Sequence, residues 1–246
     1  MSYTYATYTT TIANLLAESE TDPNFVQILP SIIDYAEQRI YRELDMLVED
    51  VADSSASTTA GVRDFTLPTS LGVFQIVKDI NIITPASTAP GSGTRNALTP
   101  VSRSVLDWSW PSSTGTGVPQ QFVYYSQSAL SGQPNIIFGP WPDATYRVEV
   151  IGKIIPIPLA ASNTATFLST YLPDVFLAAS MIFAQGAFQK NFGSAATVDD
   201  QGQAISWESQ YSKLRDSAST WEARKKFAGA SWTASQVEPT AVPQRG

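Results

Sequence analysis

Paired carboxylates at Glu49 with Asp50, and at Asp199 with Asp200, are the residues in this chain whose type and spacing come nearest to chemistry. Two neighbouring carboxyls can divide acid and base roles or hold a divalent ion. The second pair stands where a helix should begin, and negative charge there also complements the helix dipole. The glycine-rich stretches GSGTRN and STGTG lack the Lys-Ser/Thr of a phosphate-cradling P-loop and open no helix, so both read as loops. With no cysteine and no histidine, the chain has no disulfide, no thiolate nucleophile, few routes to a zinc site and no Ser-His or Cys-His pair. No nucleophile, base and stabiliser can be assembled from the rest, so the expectation is a protein that is not an enzyme and holds no cofactor or metal. Trp108 with Trp110, and Tyr124 with Tyr125, suit a sugar platform or a base-stacking surface, and equally a half-buried sheet.

The elements that must position these groups follow from hydrophobic period. Of 246 residues, 43% are apolar and only 15% charged, which suits a packed globular protein of one large or two modest domains. Ile12, Leu15 and Leu16 suggest a short helix ending near Glu18 to Thr21. Asp22 before Pro23 is a helix-start signal, and Phe25, Ile28, Leu29, Ile32, Ala36, Ile40, Leu44 and Leu47 recur at spacings of three and four. A long helix over 22–47 is expected, with Asp34, Glu37, Arg39, Arg42 and Glu43 on a solvated face that can also meet a neighbouring subunit. Residues 51–160 change character: β-branched and aromatic runs punctuated by Gly and Pro read as an inserted antiparallel β domain.

Helical period returns over 171–190, where Leu172, Val175, Phe176, Ala179, Phe183 and Ala187 form a stripe rich in small residues, the expected buried centre. A last helix is expected over 198–228, with Ile205, Tyr211, Leu214, Ala218 and Trp221 on one side. The fold class is therefore α+β: an antiparallel helical bundle built from 1–50 and 161–228, the β insertion, and an extended C-terminal tail over 229–246. The tail has too few apolar groups to fold alone; Trp232 in it is either part of a frayed end or an anchor for a partner groove.

The amino terminus lacks a basic segment and a long apolar core, and Val175 to Phe188 is too short and too interrupted to span a bilayer, so neither a secretory signal nor a membrane partner is expected. A net charge of -7 argues against sequence-independent attachment to nucleic acid, which needs excess Lys and Arg, but not against a surface past which DNA slides.

The order of motifs resembles the head-to-tail adaptor family of tailed phages, and most closely the tail tubular protein A type of short-tailed phages. The residues that carry the likeness are IIDYAEQRIYRELDM, then IIFGPWPDATYRVEVIGK with its Pro140-Trp141-Pro142-Asp143 corner, then TFLSTYLPDVFLAASMIFAQGAF with Tyr171-Leu172-Pro173-Asp174 at its helix start. The likeness covers about residues 10 to 228.

The resemblance implies a virion structural protein of the neck, assembled in the host cytoplasm. Family members form a ring, commonly of twelve copies, below the portal protein, and double-stranded DNA passes through the lumen. It implies a subunit interface, for which Glu37, Arg39, Arg42, Trp207 and Arg215 are the candidates, and a C-terminal segment on the portal, with Trp232, Val237, Pro239 and Val242. Contacts of the β domain with tail nozzle, tail tube or tail fibre proteins fall to Trp108, Trp110 and Trp141. Other readings are a tail terminator or another neck protein, a receptor- or glycan-binding tail module, and a cell-wall hydrolase acting through carboxylates.

Overall fold

The chain is described by a computed structural model over residues 2–127, 133–188 and 206–229. These residues form a mixed α+β structure with six α-helices and largely antiparallel sheets. Helix α1 (Tyr5–Leu16) starts at a Thr4–Thr7 capping box and buries Tyr8, Ile12, Ala13 and Leu16, one face of its turns. Helix α2 (Pro23–Glu43) is capped by Asp22, whose carboxylate accepts from the amides of Asn24 at 2.9 Å and Phe25 at 3.0 Å. Pro30 sits inside α2 on an exposed position, where no packing is lost.

The expected end of α2 at residue 47 is wrong by a turn. The Leu44 backbone is extended, and Leu44 and Met46 are both buried while Asp45 and Leu47 are exposed. That alternation is a strand's, and it leads through a single 3-10 turn (Leu47–Glu49) into strand β1 (Asp50–Asp53).

Two four-stranded sheets follow. The first has the order β1-β10-β3-β4, all antiparallel, from β3 (Gly72–Thr84), β4 (Thr94–Ala97) and β10 (Arg147–Pro156). The second has the order β2-β8-β7-β5, from β2 (Asp64–Phe65), β5 (Thr99–Pro100), β7 (Gln121–Gln127) and β8 (Pro134–Gly139). Phe74, Ile82 and Val148 of the first sheet share one apolar cluster with Phe65, Phe122 and Phe138 of the second. Strand alternation sends Val123 and Ile137 to the opposite face, where helix α3 (Arg103–Ser109) covers them with Leu106.

Three details depart from the sequence reading of 51–160. Helix α3 lies where only strands and excursions are expected. The pair β5 with β7 is parallel, as is the small ribbon β6 (Thr116–Gly117) with β9 (Trp141–Pro142). Both glycine-rich loops therefore contribute strand residues, Thr94 to Asn96 and Thr116 to Gly117.

The remaining helices return to the first. Thr166 and Ser169 cap α4 (Phe167–Tyr171), and the proline after Leu172 starts α5 (Pro173–Phe188). Helix α5 touches α1, α2, α4 and α6 (Trp207–Gly229). Its buried face is Val175, Phe176, Ala178, Ala179, Ser180, Met181 and Ala184; Ala187, expected inside, is exposed, and Phe183 is half-buried. On α6, Tyr211 and Ala218 are buried; Trp221 is on the side expected for it, beside Leu214 and Ala218, but is 42% exposed. Residues 189–190, and the expected start of the last helix at 198 with Asp199 and Asp200, lie outside the described residues.

Candidate functional site

The end of α2 is where helices and strands are tied by charge. Asp45, just past α2, accepts from Lys153 of β10 and from Lys226 of α6. Glu49, 7% exposed, lies 3.8 Å from the same Lys153 through Oε2, and its Oε1 is buried without a hydrogen-bond partner among the described residues. Glu222 of α6 accepts from the Leu47 amide at 3.2 Å and from Lys225 at 2.6 Å. Beside this network opens a cleft of about 580 Å³. Leu44, Ile76, Ile154, Ile155, Pro156 and Pro158 give it an apolar lining; Asp34, Glu37, Glu43, Asp45 and Glu49 face it together with Arg42 and Lys153.

The electrostatics follow from burial. Burial pushes the Glu49 carboxyl from an ordinary 4.5 up to about 7, against the pull of Lys153. Burial likewise raises Glu37 to about 7, opposed by its hydrogen bond from the Leu159 amide at 3.1 Å and helped by nearby Asp34. Burial, with Glu37 and Glu49 close by, also drives the Tyr41 hydroxyl far up. The hydrogen bonds from Lys153 and Lys226 hold Asp45 down at about 2.

A raised carboxyl pKa stabilises the fold below its unfolded value, and that contribution is lost as pH climbs through the folded value. Glu37 and Glu49 should therefore each withdraw on the order of 2 kcal/mol between pH 4.5 and pH 8. Asp45 acts in the opposite sense, its contribution falling away only as pH drops from about 4 towards 2. Urea midpoints should fall from pH 5 to pH 8, and Glu37→Gln or Glu49→Gln should raise the midpoint at pH 8 and flatten the slope; an unchanged slope contradicts the assignment.

The expected interface residues divide. Glu37 is not on a solvated face: it is 2% exposed, because the chain after β10 crosses over it and needs an acceptor for the Leu159 amide. Arg39 and Arg215 do come together, but within the chain. Arg39 donates to Glu43 at 2.9 Å and through two nitrogens to Glu208, and its guanidinium lies 4.4 Å from the Tyr211 ring centroid. Arg215 and the Tyr211 hydroxyl both donate to the second Glu43 oxygen, at 3.1 and 3.0 Å. Burial works against the Glu43 charge, but these bonds outweigh it and hold its carboxyl below the usual range. Trp207 is half-buried against the helical core, and Arg42 is exposed.

The tryptophan trio also separates. Trp108 is 85% exposed; Trp110 packs beside Leu106, and the Arg63 guanidinium lies 5.2 Å from the Trp141 ring centroid. Tyr124 bonds the Val77 carbonyl through its hydroxyl, and Arg103 lies over Tyr125. Trp232, Val237, Pro239 and Val242 lie outside the described residues. Exposed apolar groups that the sequence did not offer as contacts are Val26 and Tyr35 of α2, each 54%, Tyr171 at 62% and Phe227 at 63%. Among the described residues no three acidic groups stand close enough together to hold a metal ion, and no helix is long and apolar enough to cross a membrane.

The arrangement offers surfaces and a mechanical junction. The family model described as SU10 adaptor protein matches residues 3–236, nearly the whole chain, and the chain belongs to that family. It is a phage adaptor, a structural virion component that meets other head or tail proteins. No curated protein matches it.

Proposed function

We propose that this member of the SU10 adaptor family forms a ring, twelve copies in number, below the portal of a short-tailed phage, joins it to the tail and continues the DNA channel. The observation that carries the reading is the family match over residues 3–236. In this reading, residues 1–50 and 161–228 make a ring-forming helical bundle, with 51–160 inserted as the tail-proximal part. A closed ring of identical copies needs two different complementary faces on each subunit. Exposed Val26, Tyr35 and Arg42 along α2 suit one face, and Tyr171, Trp221 and Phe227 suit the other. Arg39, Arg215 and Trp207 serve the interface by fixing α6 against α2, and Glu37 by bracing the chain after β10.

Residues 229–246, with Trp232, Val237, Pro239 and Val242, reach the portal. The tail nozzle or tube, and fibres, meet the β region at Trp108; Trp110 and Trp141 support that surface. Assembly takes place in the host cytoplasm. A net charge of -7 suits a lumen that repels phosphate and lets DNA pass without sticking.

Mixing the protein with the portal protein of its phage tests the reading. Native mass should shift to a ring matching the portal, and the shift should be lost when residues 230–246 are deleted. No association in either case overturns it. The bare ring of Trp108, with Val105 46% exposed one turn earlier, favours a second reading as a receptor- or glycan-contacting module, which glycan binding by the full chain would support.

A further inference from the structure

We infer that the cleft between α2 and strands β3 and β10 is the seat of this chain's own C-terminal segment, residues 230–246. The inference stands on the cleft and on where the described chain ends, and holds whether or not the segment later meets a portal.

Helix α6 delivers the chain to the rim of the cleft. Lys226 pairs with Asp45, a cleft residue, and neighbouring Lys225 pairs with Glu222, which accepts from the Leu47 amide. Gly229 ends α6 three residues later, about 4.5 Å further along the helix axis. Fully extended, residues 230–246 reach about 55 Å, so the whole cleft lies within range.

The two parts match in their apolar groups. The cleft offers an apolar strip in which Ile76 is 56% exposed, and five carboxylates against two cations. The segment ASWTASQVEPTAVPQRG supplies Val237, Pro239, Val242 and Pro243 without helical period, and one cation, Arg245, with one anion, Glu238. Prolines reduce the ordering cost of an extended segment in a groove. Glu49 Oε1, buried on the cleft wall with no partner among the described residues, needs a donor that such a segment can bring. A tether this short sets a local concentration on the order of millimolar, so modest contacts suffice. A seated segment is withheld from partners until something displaces it.

The absence of cysteine makes the test clean. In the full-length protein, the pair Ile76→Cys with Val242→Cys is oxidised with diamide at low concentration and the internally linked form is followed by gel mobility and mass. The comparison pair is Leu47→Cys with Val242→Cys. Leu47 is 41% exposed and bonded to α6 through its amide, so it stands near the segment's origin, but it does not line the cleft. The Ile76 pair should close about tenfold faster than the Leu47 pair, and Ile155→Asp should remove that advantage. Equal rates overturn the inference. Covalent dimers in place of internal links also overturn it, by assigning the cleft to the segment of a second copy.

Discussion

Phe176→Ala should lower the unfolding free energy by about 4 kcal/mol, the range for deleting a fully buried ring from a core. Phe176 has no exposed surface, and its ring stacks on Tyr8 with centroids 4.6 Å apart. Tyr8 in turn bonds Ser180 through its hydroxyl at 2.7 Å, one turn further along α5. The ring is thus the post on which α1 rests, and its loss opens a cavity under α1 as well as inside the core. Chemical unfolding measures the loss, and hydrogen exchange should show residues 5–16 losing protection first. Since a domain's whole stability is about 5–15 kcal/mol, the variant should be marginal at host temperature.

Gly152→Ala should cost about 3 kcal/mol, for a reason of space. A Cβ at Gly152 would collide with the Ile76 carbonyl oxygen and sit 3.0 Å from the Val77 Cα, both backbone atoms of β3. Backbone cannot swing aside as a side chain does, so the pairing of β10 with β3 must open at the irregularity beside Gly152. The next residue is Lys153, so the same change also loosens the ties to Asp45 and Glu49. Gly186→Ala is the contrast: an added Cβ there meets nothing within 4 Å on an exposed helix position, and a gain of about 0.5–1 kcal/mol is expected. The two unfolding midpoints should move in opposite directions.

Local signals in the sequence were good guides wherever local chemistry decides. Asp22 with Pro23 placed the start of α2, and Leu172-Pro173-Asp174 placed the start of α5. The proline corner at 140–143 is flanked by strands β8 and β10, as its residues suggest, though Trp141 and Pro142 also form the short β9. Leu44 misled because its spacing continues the helical stripe, while its burial is shared with Met46 in an extended chain. Helix α3 was hidden by the glycines and prolines beside it, and the parallel pairings depend on partners tens of residues apart.

The site was less legible for the same reason. Asp45 with Glu49, Lys153, and Glu222 with Lys226 come from three separate stretches that meet only after the fold closes, and nothing in any one stretch signals the other two. Glu37 looked solvated because it is charged; it is buried because a distant amide, Leu159, requires it. Arg39 and Arg215, grouped as interface candidates, are joined through Glu43, and Glu43 and Glu208 engage them within one chain.

The proposed place of the chain in the virion is a ring at the neck, against the portal. Electron cryomicroscopy of the neck of the parent phage tests it most directly. The expected result is a closed ring of this chain around the channel, α2 of one copy against α6 of the next, and residues 230–246 running onto the portal. Finding the chain on peripheral fibres, or only in contact with glycan-bearing tips, would contradict it.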